Sequence, residues 1–105
     1  MAIDARKNFA YGTVLTAPSP ATSGTTMTLS SGAGALMPAV PFNLTIWPAG
    51  ANPLASTAEI VRVTAMTGDN ITAMTRAQEG TSARTIVVGD QVAQHVGGLG
   101  VGMAG

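Results

Sequence analysis

Glu59-Ile60-Val61-Arg62-Val63-Thr64-Ala65-Met66, then Thr67-Gly68-Asp69-Asn70, then Ile71-Thr72-Ala73-Met74-Thr75: this stretch decides the fold. Its first run sets Val61, Val63 and Ala65 at every second position, the spacing that puts side chains on one face of a strand. The other face mixes Ile60 and Met66 with Arg62 and Thr64, so the strand is expected to be covered on both sides. Gly, Asp and Asn tolerate positive φ, which makes 67–70 a tight turn. Asn70–Thr75 then returns as the antiparallel partner. The segment reads as a β-hairpin.

Outward from it, the same punctuation repeats. Thr75-Arg76-Ala77-Gln78-Glu79-Gly80-Thr81-Ser82-Ala83 is polar and Gly-containing, an ordered connection between two strands. Thr25–Ser30 alternates, with Met27 and Leu29 on one face. Phe42–Trp47 does the same, with Phe42, Leu44 and Ile46 inward, and Pro48 ends it because Pro cannot donate to a ladder. Tyr11–Thr16 supplies a first strand. A last one is expected within 85–96, where Gly89-Asp90 forms a bulge or turn between Ile86-Val87-Val88 and Gln91-Val92-Ala93. Gly and Pro interrupt nearly every possible helix, and Gly32-Ala33-Gly34 reads as a loop with no helix after it.

The expected fold is all-β: a small single-domain sandwich or barrel over 11–96. It is flanked by an N-terminal arm, 1–10, either free or a short helix, and a flexible Gly-rich C-terminal tail, 97–105.

Composition bounds the function. A chain of 105 residues suits one domain. Charged residues are 10% of it, against ~25% in an average soluble domain. Five basic and five acidic side chains cancel, which argues against a nucleic-acid partner, since a phosphate backbone calls for a basic stripe. So little charge fits a surface that faces other protein, or one built from Thr, Ser and Asn. There is no Cys, hence no disulfide framework and no thiolate metal site. No apolar run approaches the ~20 residues that cross a bilayer, and the N-terminus has no apolar core of a secretory signal. The expectation is a soluble protein made in the cytoplasm, with no membrane partner.

No catalytic constellation emerges. The single His, His95, sits at a strand end without a nucleophile-elbow sequence elsewhere. Asp4, Glu59, Asp69, Glu79 and Asp90 are scattered singly, unlike the clustered oxygen ligands of a metal loop. No enzyme activity, metal or cofactor is expected. Glu59, Arg62, Arg76 and Glu79 lie on or beside the hairpin. Arg76 or Arg84 is a candidate brace for 77–84, reaching backbone carbonyls or Glu79 with its planar fork; the alternative is simple solvated charge. Trp47 is either a core anchor or an interface anchor. Leu99, Val101 and Met103, at period two, are candidates to dock on a neighbour as an added strand, the alternative being a disordered end.

Four blocks carry a resemblance: Ala17-Pro18-Ser19-Pro20-Ala21-Thr22-Ser23-Gly24-Thr25; Phe42-Asn43-Leu44-Thr45-Ile46-Trp47-Pro48; Glu59-Ile60-Val61-Arg62-Val63-Thr64-Ala65; and Thr75-Arg76-Ala77-Gln78-Glu79-Gly80-Thr81. Together, and in this order, they resemble a β-rich module of tailed-bacteriophage structural proteins. It is found in tail-fibre and tail-associated proteins and in small head-decoration proteins. The likeness spans roughly residues 8–96. It implies a virion protein without catalytic residues, synthesised in the host cytoplasm. Its partners would be other copies of itself and the major capsid or tail proteins. The chain stops soon after the module, with no distal receptor-binding region as in longer fibre proteins. The favoured expectation, which the low charge, the many Thr, a thin core and the Gly-rich apolar tail fit, is a capsid decoration (cement) protein, acting as a homo-oligomer. The alternatives are a tail or fibre attachment adaptor and a host-glycan-binding module.

Overall fold

The computed structural model describes residues 11–51 and 57–95. Six strands form: β1 (Tyr11–Thr16), β2 (Met27–Leu29), β3 (Phe42–Trp47), β4 (Glu59–Thr67), β5 (Asn70–Gln78) and β6 (Gln91–His95), with one helical turn, α1 (Ala33–Leu36). They close into a barrel in the order β1-β2-β5-β4-β3-β6, every neighbouring pair antiparallel. Of the two architectures expected, the chain adopts the barrel, and closure removes the exposed edges that a sandwich would leave.

The barrel is filled by its own side chains. Leu29, Phe42, Leu44, Ile46, Val61, Val63 and Val92 have no exposed surface, and Val14, Met27, Ile71 and Met74 have almost none. Burying one such side chain is worth about 1.5–3 kcal/mol, so this cluster is the main source of stability. On β3 the expected inward residues Phe42, Leu44 and Ile46 point to the core. Asn43, Thr45 and Trp47 are buried as well, so β3 is covered on both faces. The Thr45 hydroxyl has no hydrogen-bond partner there.

The 59–75 hairpin forms as read, and β5 runs three residues further to Gln78. Thr67 pairs with Asn70, leaving a two-residue loop in which Gly68 has φ 59. Register shifts follow Val63 and Ala65, and this bulging turns Met66, not Ala65, toward the core.

Three local expectations are corrected. The strand at Thr25–Ser30 shrinks to Met27–Leu29. Gly32-Ala33-Gly34 leads into a helical turn, stabilised from outside: the carboxylate of Asp69 accepts the N–H groups of Gly32 (3.2 Å) and Gly34 (2.8 Å). Ile86–Val88 is no strand, because its backbone is engaged elsewhere. Ile86 N–H donates to Ala21 O, and Val87 N–H donates to the Asp90 carboxylate.

The register defines two ends. At the terminal end lie the start of β1, the end of β6, α1 and the Gly68–Asp69 tip. At the loop end lie the starts of β4 and β6, the ends of β3 and β5, and the segments 17–26 and 79–90.

Candidate functional site

The charged residues converge on the loop end. Glu59 opens β4 and its side chain is wholly buried. An isolated carboxylate in that position would be strongly disfavoured, and burial by itself pushes its pKa up. Four donors answer it. Arg76 approaches side-on, Nε to Oε2 at 2.7 Å and Nη2 to Oε1 at 2.8 Å, the bidentate geometry that gives strong, directional pairing. The backbone N–H groups of Ala77 and Arg84 each add a bond of 2.9 Å. The Arg76 hydrogen bond, then those backbone N–H groups and the Arg76 charge, outweigh the burial and hold the Glu59 carboxyl below the usual carboxylate range.

Arg76 does more than neutralise Glu59. Its Nη1 donates to Gly24 O (2.8 Å) and its Nη2 to Ala21 O (3.1 Å) and Arg84 O (2.9 Å). One guanidinium thus ties β5 to β4, to segment 17–26 and to segment 79–90. The planar fork is needed: a lysine ammonium could not face a carboxylate and three carbonyls in this arrangement.

Where β5 ends, the chain turns sharply through left-handed conformations at Ala77 (φ 54), Glu79 (φ 55) and Gly80 (φ 79). Non-glycine residues adopt these at a cost, which the surrounding bonds offset. Glu59 takes the Ala77 N–H. Thr81 Oγ1 donates to Gln78 O (2.7 Å) and accepts from Ile60 N–H (3.0 Å), pinning the turn onto β4. Beyond it, Arg84 pairs with the buried Asp90.

The structure places the sequence-derived candidates as follows. Arg76 and Arg84 lie in one network. Glu79 is not paired with Arg76; it is exposed and accepts from Asn43 Nδ2 (3.1 Å), while Asn43 Oδ1 accepts from Arg62 Nη1 (3.1 Å). Trp47 is only 9% exposed and stacks obliquely on Tyr11, with ring centroids 6.5 Å apart. Tyr11 is the more exposed of the two, and its hydroxyl donates to Gln91 Oε1. Leu99, Val101 and Met103 lie outside the described residues, as does the side chain of His95.

Sequence reasoning set Glu59 among the charges that could pair across the hairpin at a surface, but not as the buried acceptor of the hub, and it missed Asp90 as the partner of Arg84. The signal for Glu59 was present. It starts β4 across from the end of β5, so a charge near 76 had to face it or leave it buried alone. Asp90 gave only a turn signal.

Chemically, this site holds loops together. Both oxygens of Glu59 are occupied, and among the described residues no group of three His, Cys, Asp or Glu is placed to bind a metal ion. No family model, curated protein or solved structure matches the chain.

Proposed function

We propose that the chain is a non-enzymatic structural subunit of a tailed-phage virion, acting as a capsid decoration protein that binds repeated sites on the shell as a homo-oligomer. One observation carries this reading: the four blocks that resemble the phage module are tied to one another by two hydrogen-bonded clusters, one around Arg76 and one around Asn43. Arg76 joins the fourth block to Ala21 and Gly24 of the first and to Glu59 of the third. Asn43, of the second, bonds to Glu79 of the fourth and accepts from Arg62 of the third. The residues that give the resemblance are thus those that build the module. The most buried of their polar side chains, Asn43 and Glu59, bond within the domain, as befits one whose task is to hold shape.

The small charge complement supports the same view, since a surface with little net charge suits association with other protein. A cryo-EM map of the particles that contain the chain tests the reading. Density at equivalent positions on the shell is expected. Density on the tail alone would place the chain as a tail or fibre adaptor and sink the capsid assignment.

A further inference from the structure

The terminal end carries a groove that the barrel itself does not fill. It has a volume of about 450 Å³ and lies between α1, the Pro38–Val40 segment and the hairpin tip, with Met66 at its side. Leu36 and Val40 beside it are 43% and 39% exposed. Asp69, the one ionisable residue among the described lining residues, directs both carboxylate oxygens at backbone N–H groups of Gly32 and Gly34, and the rest of the wall is Gly, Ala, Pro, Val and Met. What fits is an uncharged, apolar, slender segment.

The chain supplies one at the right place. β6 ends at His95, which pairs with Asn43, three residues from Val40 in the groove wall. Residues 96–105 continue from there, with no charged side chain and with Leu99, Val101 and Met103 separated by glycines. In an extended chain, period two sets these three on one side, and the glycines permit close backbone approach. Ten residues reach at most roughly 33–36 Å, ample for a seat that adjoins the exit of β6. The other terminal segment leaves from the same end, at Tyr11, but carries Asp4, Arg6 and Lys7. Burying those charges against Pro38, Val40 and Met66 would cost desolvation, and Asp4 would meet the like charge of Asp69.

We infer that this groove is the docking seat of the chain's own C-terminal segment, with Leu99, Val101 and Met103 inserted beside Met66 and Val40. The docking does not rest on the virion reading. It would hold the end of β6 against α1 and the hairpin tip.

Because the chain has no cysteine, disulfide trapping is a clean test. The full-length double variant Ala35→Cys/Val101→Cys is oxidised mildly beside Thr72→Cys/Val101→Cys, whose first site lies in a separate surface groove next to β2. An intrachain disulfide is expected to form about tenfold faster in the first pair, from the higher effective concentration of docked thiols. Equal rates overturn the inference, as does a disulfide-linked dimer, which would assign the groove to a second copy. In parallel, Val101→Asp in the full chain is expected to shift the NMR amide signals of Gly32, Gly34 and Gly68 while leaving Gly80 and Gly89 in place. Unmoved signals at the first three would also overturn it.

Discussion

The two ends of the barrel are closed by different physics. At the loop end, charged side chains reach across segments and bind carbonyls, N–H groups and each other, with Arg76 and Glu59 at the centre. At the terminal end, the Asp69 carboxylate holds α1, and the rest of the closure is a matter of fit. A Cβ on Gly34 would stand 2.0 Å from the Gly68 carbonyl oxygen, and one on Gly12 would stand 2.6 Å from the Ala33 methyl. The first end is therefore vulnerable to loss of a charge, and the second to gain of a methyl group. A small domain with limited core volume uses both.

The comparison is broken most severely by Arg76→Ala. This change leaves Glu59 buried without its partner, and removal of one member of a buried pair costs about 3–5 kcal/mol. Urea unfolding measures it. The double variant Glu59→Leu/Arg76→Met sharpens the point, since it should be more stable than Arg76→Ala alone; if it is less stable, the charge-pair account is wrong.

At the opposite end, Gly34→Ala is expected to cost about 1–3 kcal/mol through overpacking against the hairpin tip. Thermal unfolding unchanged from the parent would show that α1 can shift freely.

Acid should loosen the loop end through Glu59. The folded-state pKa of Glu59 is lowered, so its stabilising contribution is present in full above the unfolded carboxylate value of about 4.3 and is lost as pH falls through the folded value. The melting temperature of the parent should drop in that acidic window, and Glu59→Gln, already less stable at neutral pH, should flatten that drop. Parallel curves would remove Glu59 from the account of acid sensitivity.

Glu79→Ala should matter least. The side chain is exposed and meets only Asn43, so the loss should be about 1 kcal/mol or less by chemical denaturation. A loss as large as that of Arg76→Ala would mean that the turn at 77–80 depends on Glu79 directly.

How much of this was legible follows from where the information lies. The 59–75 hairpin could be read because alternation and turn chemistry are local properties of consecutive residues. The reading placed Ala65 inward and Met66 outward, but the bulging that exchanges them arises from pairing with β5 and leaves no trace in the run itself. Helix α1 was invisible for a similar reason: four residues with two nearby glycines have little helical tendency, and the turn is held by Asp69, 35 residues away from Gly34. Ile86–Val88 has the composition of a strand, yet Ala21 and Asp90 claim its N–H groups first. At the candidate site, the residue types were readable and Arg76 stood out. Its partners were not, because a guanidinium that serves four segments is specified by the closed barrel rather than by any neighbour in sequence.

The tip at Gly68–Asp69 shows what this construction means for variation of the module. Hairpin tips are ordinarily where chains accept insertions, because little else depends on them. Here the carboxylate of Asp69 holds α1, and its carbonyl oxygen accepts the N–H of Leu29 at 2.8 Å. The tip is a joint between three elements. Lengthening it would pull apart the short strand through which the barrel closes, so room for added sequence lies at turns with looser ties, such as Pro48–Ala51, where Pro48 O accepts from Ala51 N–H (3.2 Å) and, at 3.3 Å, from Gln91 Nε2.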